Sequence, residues 1–284
     1  MRKTKNLKFK KVLPITLMLF FFTCAFAFSS DRVEVPLTNP AKPALVKVGI
    51  MKGSVFVKGT SGKQVIVEAK VLSKKKDDLE EEEMGVDKKA KGMKLIKSTG
   101  TGMEVEEENN VVKVRTRSMG DSVELVIHVP FSTSLNLRAN MGEVVEVKNV
   151  TGDLEVTNLT GSIKMAGVGG SVVAHSMSGD VTVIFDKINL SRPMSFSSMS
   201  GDIDVTFPKN LKANVKLNTT GGDIYSDFNI QIKPGPGKVI KKSKEKDGKF
   251  KVIFDKTQYG TINGGGEEIS FKTMTGSIYI RAKK

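Results

Sequence analysis

Four aspartates that directly follow a glycine in the second half of the chain are the first residues in this sequence that could do chemistry. They are Asp153, Asp180, Asp202 and Asp223. Stacked carboxylates could bind Ca²⁺, but this ion takes about six to eight oxygen ligands. Each repeat supplies at most one aspartate here, since Ser follows Gly161, Gly170 and Gly276. Two carboxylates roughly 5–10 Å apart could also cleave a glycosidic bond if their pKa values differed. Because the four contexts are alike, the pattern favours turn residues over a calcium site or a polysaccharide-acting β-helix enzyme.

The residues of other catalytic centres are scarce. His128 and His175 are the only histidines, and their contexts differ, which indicates surface or core positions. The only cysteine, Cys24, lies within a predicted export signal, so the mature chain would have no disulfide and no cysteine metal site. The serines form no Gly-x-Ser-x-Gly elbow. We therefore expect no enzyme, no catalytic residue, no metal and no cofactor.

A lysine-rich segment is the second candidate site, and its chemistry would be electrostatic. Its lysines are Lys238, Lys241, Lys242, Lys244, Lys246, Lys249 and Lys251. They could bind an anionic envelope polymer, and the alternative is a solvated loop. The chain carries +14, but six basic residues precede residue 12, and the remaining 39 basic and 31 acidic residues give +8. No basic face interleaved with aromatic residues is visible in the sequence, so we expect no nucleic-acid partner.

One short unit recurs through the second half of the chain and must position the aspartates. It is apolar-x-apolar-x-x-apolar-Ser/Thr-Gly-Asp/Ser, with copies at residues 145–153, 154–162, 163–171, 172–180, 194–202, 215–223 and 269–277 and a degenerate one before them at Gly142. Glycine would allow a corner through a backbone angle that other residues resist. The Asp or Ser after it can bond the amides of its own turn. The predicted structural turn residues are Gly152, Asp153, Gly161, Gly170, Gly179, Asp180, Gly201, Asp202, Gly222, Asp223 and Gly276.

Stacking these units would form a solenoid, because one nine-residue unit cannot bury its apolar face alone. Glycine spacings near 20 residues predict two units per turn of the coil, each supplying one wall. The predicted fold class is all-β: a single-stranded β-solenoid or β-helix-like stack of short strands with Gly-Asp/Ser turns, preceded by a β-rich N-terminal region. The residues expected inside are Leu154, Val156, Ile163, Met165, Val172, Val181, Val183, Ile203, Val205, Ile224, Ile278 and Ile280. Those expected outside are Glu155, Lys164, Thr182, Asp204, Tyr225 and Tyr279.

The N-terminal sequence predicts export. A basic stretch to Lys11 precedes an apolar run over residues 12–28, and Ala25-Phe26-Ala27 supplies a small-x-small cleavage pattern, so residues 1–27 are predicted to be a signal peptide. A retained anchor or a lipid-modified Cys24 are the alternatives. After cleavage we expect no transmembrane segment, and the protein would reside in the periplasm, at the cell surface or outside the cell.

The rest of the chain divides into three predicted regions. Residues 28–45 contain three prolines and are predicted to be an extended linker. Residues 46–130 are predicted to form the N-terminal β region, with a hairpin turn at Asn109-Asn110 and a charged, solvated insert over residues 74–91. Residues 131–284 are predicted to form the solenoid, with a protruding excursion over residues 231–256. The first half would continue the same β structure rather than fold separately.

The repeat residues resemble a known family. Ser178-Gly179-Asp180-Val181, Met199-Ser200-Gly201-Asp202 and Met274-Thr275-Gly276-Ser277 are similar to the motifs of the bacterial DUF4097 family, which carries an adhesin label. The resemblance covers most of residues 46–284 and implies a β-strand-repeat fold on an exported or envelope-associated protein. It supplies no catalytic residues to transfer. The hypotheses are a non-enzymatic adhesin or scaffold and, alternatively, a regulatory module that binds an anionic polymer through Lys238–Lys251; the candidate partners are an envelope glycan or another surface protein.

Overall fold

The computed structural model describes residues 31–72, 101–117, 120–188, 190, 192–233, 243–244, 250–251 and 257–284, and within them every regular element is a β-strand. The strands are β1 Asp31–Pro36, β2 Leu45–Thr60, β3 Gln64–Leu72, β4 Met103–Glu108, β5 Val111–Thr116, β6 Ser122–Pro130, β7 Ser134–Lys148, β8 Leu154–Asn158, β9 Ser162–Val168, β10 Val172–Ser176, β11 Val181–Phe185, β12 Met194–Ser198, β13 Ile203–Phe207, β14 Ala213–Asn218, β15 Ile224–Ser226, β16 Gln231–Lys233, β17 Ser243–Lys244, β18 Phe250–Lys251, β19 Gln258–Ile262, β20 Glu268–Lys272 and β21 Ile278–Ala282. No helix that could cross a membrane occurs in these ranges.

The strands stack into two facing walls. The first wall runs in the order β4, β5, the first half of β2, the first half of β7, β8, β10, β12, β20, β14, β19 and β16. The second wall runs in the order β1, β3, β6, the second halves of β2 and β7, β9, β11, β13, β21 and β15. Each repeat coil contributes one strand to each wall, so the predicted solenoid with two units per turn is confirmed.

The spatial order of the coils departs from their order along the chain at both ends. Ile269 pairs with Met194 on one side and with Val215 on the other, so the coil β20–β21 lies between β12–β13 and β14–β15. At the opposite end β2 lies between β7 and the pair β5 and β6. At the C-terminal end the outer coil β14–β15 therefore comes first in sequence, and the chain then returns to fill the position beneath it. At the other end the inner strand β2 comes first, and the outer strands β5 and β6 follow it in sequence.

The interior is apolar because alternate side chains of both walls point into it. Eleven of the twelve residues expected inside are buried, and the twelfth, Ile224 of the terminal strand β15, is half-buried. Phe185 and Phe207 of the second wall stack at 5.1 Å, and Phe196 of the first wall meets both edge-on at 6.4 and 6.3 Å. Aromatic contacts therefore join the two walls across the core.

The glycines before the second-wall strands form a column along one corner of the solenoid. In spatial order the column is Gly142, Gly161, Gly179, Gly201, Gly276 and Gly222. From Gly161 onward, a Cβ on each member would collide with the backbone of the glycine before it. The predicted reason for these glycines is wrong: of the predicted turn glycines, Gly170 alone has a positive φ, of 73°. The column is glycine because the coils approach too closely for any side chain.

The hydroxyls of three buried residues and of the half-buried Thr219 hold this corner together. Ser176 donates to the Gly161 carbonyl at 3.1 Å, and Ser198 donates to the Gly179 carbonyl at 3.0 Å. Thr273 and Thr219 make the corresponding bonds to Gly201 and Gly276, both at 2.9 Å. Each hydroxyl lies three residues before its own glycine and bonds the glycine of the neighbouring coil, so the contact joins coils. The Thr273 and Thr219 hydroxyls also accept the amides of their own glycines, at 3.2 and 3.1 Å.

The N-terminal strands belong to the same stack. Residues 31–36, expected within an extended linker, form β1 and pair antiparallel with β3 because Val35 and Leu37 find buried positions there. The Asn109-Asn110 hairpin is confirmed, with φ values of 53° and 63°. Residues 231–233, expected in the excursion, pair with β19 instead. The signal peptide and the charged insert lie outside the described residues.

Candidate functional site

The four aspartates lie at two different corners of the solenoid. Asp153 precedes a first-wall strand, whereas Asp180, Asp202 and Asp223 precede second-wall strands. The Oδ1 atoms of Asp153, Asp180 and Asp202 accept the amides of Ser171, Asp202 and Ser277 at 3.0, 2.9 and 2.7 Å. These amides belong to the next coil, so the expected bond to the residue's own turn is wrong.

This geometry gives the aspartates a structural role. A carboxylate that accepts a backbone amide satisfies a donor that has no partner at a strand end. Where serine replaces aspartate it makes the corresponding contact, since the Ser277 hydroxyl accepts a hydrogen bond from the Asp223 amide at 3.2 Å. Over the ranges that the structure describes, no three His, Cys, Asp or Glu side chains are grouped to hold a metal ion.

The two histidines are far apart in the fold. His128 is half-buried on β6 in the second wall, and His175 is exposed on β10 in the first wall. The Nδ1 atom of His175 lies 2.8 Å from the Ser197 hydroxyl of the neighbouring coil. The structure does not bring the two imidazoles together.

The lysine-rich segment falls almost wholly outside the described residues. Lys238, Lys241, Lys242, Lys246 and Lys249 are not described, and Lys244 and Lys251 are described only through the strand pairing of β17 with β18. Binding of an anionic polymer by this segment stays a prediction.

The outer face of the second wall carries a cluster that the sequence did not single out, here called the tyrosine patch: Asp204, Tyr225, Tyr279 and Arg281. The rings of Tyr225 and Tyr279 stack with centroids 5.2 Å apart and planes 10° from parallel. The Arg281 guanidinium lies 5.3 Å from the Tyr279 centroid, and its Nε lies 2.8 and 2.9 Å from the two Asp204 oxygens. Aromatic rings, a cation and a carboxylate therefore share one surface.

Parallel pairing places these side chains together. Asp204 pairs with Tyr279, and Tyr279 pairs with Tyr225, so the three side chains occupy the same outward position in adjacent strands. Tyr225 is 52% exposed, and β15 is the last strand described in this wall. One ring face of Tyr225 meets Tyr279, and the other points beyond the end of the wall.

Neighbouring carboxylates raise the pKa values of Tyr225 and Arg281 in the tyrosine patch. The Asp223 carboxylate, 3.4 Å from the Tyr225 hydroxyl, raises the pKa of Tyr225 mainly through its negative charge. The hydrogen bonds and the charge of Asp204 raise the pKa of Arg281. At neutral pH the patch therefore presents a phenol, a guanidinium and a carboxylate as hydrogen-bonding groups beside the ring faces.

A cleft of about 400 Å³ opens at the same end of the molecule. Ile224, Phe228 and Ile232 contribute apolar surface to it, and Asp223 and Ser226 contribute polar groups. Since side chains alternate along β15, this cleft lies on the face of the strand opposite Tyr225. The last coil therefore offers recognition groups on both of its faces.

The sequence predicted that Asp204, Tyr225 and Tyr279 face outward, but it did not predict that they lie close together. Their proximity depends on the return of β21 to a position between β13 and β15, which spacing along the chain does not reveal. One signal was available: Gly222-Asp223-Ile224-Tyr225 and Gly276-Ser277-Ile278-Tyr279 carry tyrosine at the same repeat position.

Comparison with known proteins agrees with the repeat. Residues 145–281 match the family model described as Toastrack DUF4097. A "putative cell adhesion protein" from Clostridium sporogenes is 11% identical, with a TM-score of 0.45 over 90% of this chain and all of the other. A "putative adhesin" from Bacteroides fragilis is 13% identical, with a TM-score of 0.39 over 90% of this chain and 97% of the other. The sequence matches no curated protein. The predicted resemblance to this family is confirmed over residues 145–281, a narrower range than the expected one of residues 46–284.

Proposed function

We propose that this protein is an exported, non-enzymatic adhesin or scaffold of the cell envelope or surface, and that it binds a glycan through the tyrosine patch. The observation that carries the proposal is the exposed Tyr225–Tyr279 stack, held beside Arg281 and Asp204 on a rigid wall. Export rests on the predicted signal peptide, residues 1–27.

A glycan matches this surface chemically. A sugar ring has an apolar face that packs on an aromatic ring, and hydroxyls at its rim that bond charged groups and a phenol. The open face of Tyr225 supplies the first contact. Arg281 on the neighbouring strand and Asp204 one strand further along supply polar partners. The groups bind without the cost of ordering a loop, because the strand ladder already fixes their backbone positions.

The stack also has a structural explanation, since cross-strand aromatic pairs stabilise sheets. That role does not require the outer ring to remain half-exposed at the end of a wall, whereas ligand binding does. Tyr225→Phe and Tyr225→Ala separate the two roles, because Phe keeps the ring and Ala removes it.

The test is a panel of neutral and acidic oligosaccharides, first on an array and then in solution by calorimetry. We expect Tyr225→Ala to weaken the bound glycan about tenfold or more, equivalent to about 1.4 kcal/mol, whereas Tyr225→Phe retains most of the affinity. Thr157→Ala is the matched control, because Thr157 is an outward position of β8 in the first wall and so lies on the opposite face of the solenoid. Equal binding by Tyr225→Ala, or no binding to any glycan, would refute glycan recognition. Binding to cells that survives removal of their glycans would indicate a protein partner instead.

Two further measurements address the remaining parts of the proposal. The same oligosaccharides should remain intact after long incubation; degradation that Asp202→Asn abolishes would show an enzyme. Cell fractionation combined with protease treatment of intact cells should place the mature chain in the envelope and report its exposure. Recovery of the uncleaved chain in the cytoplasm would contradict export and leave the glycan result unaffected.

A further inference from the structure

Three methionines occupy one exposed column along the corner of the solenoid. Met177, Met199 and Met274 are 43%, 46% and 49% exposed, and each lies two residues before a member of the glycine column. We call these three residues the methionine column. Exposed methionine is uncommon enough on a protein surface that three in register call for an explanation.

The backbone places the three residues in adjacent coils. The amide of Ser200 donates to the Met177 carbonyl at 3.0 Å, and the amide of Thr275 donates to the Met199 carbonyl at 3.2 Å. Neighbouring strands of a sheet lie about 4.8 Å apart, so the three side chains start from backbone positions separated by about that distance. Met274 joins this column although it lies far from Met199 in the sequence, because its coil returns late in the chain to lie beside that of Met199.

Burial does not explain these methionines. The same position is Leu159 in the coil before Met177 and Thr220 in the last coil, so the fold accepts a shorter or more polar side chain here. The core beneath is filled by the fully buried Phe196 and Phe271. What methionine adds at an exposed position is a polarizable thioether on an unbranched chain that adapts to its neighbours.

Thioether sulfur selects soft cations. It binds Cu(I) well, whereas Mg²⁺ and Ca²⁺ prefer oxygen ligands. Three flexible side chains that start one strand spacing apart can turn their sulfurs toward a common point, with Met199 in the centre. From this register we propose that the methionine column binds Cu(I) through the three thioether sulfurs of Met177, Met199 and Met274. This site is independent of the tyrosine patch.

The test uses the purified chain and Cu(I) itself, titrated without oxygen in competition with a chromogenic Cu(I) chelator. We expect about one Cu(I) per chain, and Ag(I) should bind the same site in native mass spectrometry. Replacing all three methionines by leucine should abolish binding, and Met199→Leu alone should weaken it about tenfold or more. Leucine conserves size and apolarity. If the column served only as an apolar surface, these variants would therefore behave as the wild type does in the titration.

Met141→Leu is the control, because Met141 is 49% exposed but lies directly before Gly142, one position out of the column. It should bind Cu(I) as the wild type does. Thermal unfolding of every variant establishes that the fold is kept. Cu(I) binding that persists in the triple-leucine variant, or a wild type that cannot compete with the chelator, would overturn the proposal.

Discussion

Substituting alanine for Gly201 should reveal how the coils are held at their spacing. Gly201 lies in the glycine column between Gly179 and Gly276, and its φ is not positive, so alanine meets no backbone strain there. A Cβ at this position would instead collide with the Gly179 carbonyl. The obstacle is backbone within a strand stack, which cannot rotate away as a flexible side chain would.

The cost follows from the separation that the new atom forces. Overpacking a well-packed interior costs roughly 1–3 kcal/mol. Moving the coils apart also weakens the 3.0 Å bond from Ser198 to the Gly179 carbonyl, which contributes about 1 kcal/mol. We expect Gly201→Ala to lower the free energy of unfolding by about 2–4 kcal/mol and the melting temperature by roughly 5–15 °C.

Two matched glycines supply the controls. An alanine Cβ at Gly49, within β2, meets no atom within 4 Å, so Gly49→Ala should leave stability unchanged or raise it by about 0.5–1 kcal/mol. Gly222→Ala introduces the same type of collision as Gly201→Ala, but Gly222 lies in the last coil, which can shift outward. Its cost should therefore fall between those of the other two.

The assay is urea and thermal unfolding of the three variants followed by circular dichroism. The expected order of stability is Gly49→Ala, then Gly222→Ala, then Gly201→Ala. If Gly201→Ala were as stable as Gly49→Ala, close approach of the coils would not be the reason for the glycine column. If Gly222→Ala were the least stable, the order of the coils would be wrong.

Two other predictions concern single side chains. Thr273→Val removes the buried hydroxyl that donates to the Gly201 carbonyl and should lower the free energy of unfolding, measured in urea, by about 1–3 kcal/mol. Thr219→Val, in the last coil, should lower it less. Equal losses would contradict an interior position for the coil of Thr273. The raised pKa of Tyr225 means that the fold favours its neutral phenol, so the stability it contributes is present below the ordinary tyrosine pKa and is lost as the pH rises through the raised value. In an absorbance titration, Asp223→Asn should shift this phenolate to lower pH and Tyr225→Phe should remove it; an unchanged curve for Asp223→Asn would show that Asp223 is not the cause.

The alternation of the strands and the number of units per coil were predictable because both follow from local rules. Residues two apart in a strand share a face, so Leu154 and Val156 had to point the same way. A repeat that buries one face must stack, and glycine spacings near 20 residues measure the length of one coil. No knowledge of distant residues is needed for either step.

The reason for the glycines and the order of the coils were not predictable, because both depend on contacts between coils. A glycine at a turn has the same sequence signature whether it serves a left-handed φ, as Gly170 does, or a close approach, as Gly201 does. The copies at 215–223 and 269–277 both fit the repeat pattern, so the pattern alone does not decide which of them stacks on residues 194–202. One signal was available, since Phe271 and Met274 occupy the same repeat positions as Phe196 and Met199.

The tyrosine patch and the methionine column follow from one property of the stack. A side chain that recurs at the same outward position of successive coils is presented once per strand spacing, so a repeat in sequence becomes a linear array in space. Inside, such arrays are glycines, hydroxyls and apolar residues, which fix the coils to one another. Outside, nothing in the packing dictates their chemistry: one column holds Thr182, Asp204, Tyr279 and Tyr225, and another holds the three methionines. Because each array lies on strands whose register the interior already determines, an outward substitution should change binding while leaving the stack intact.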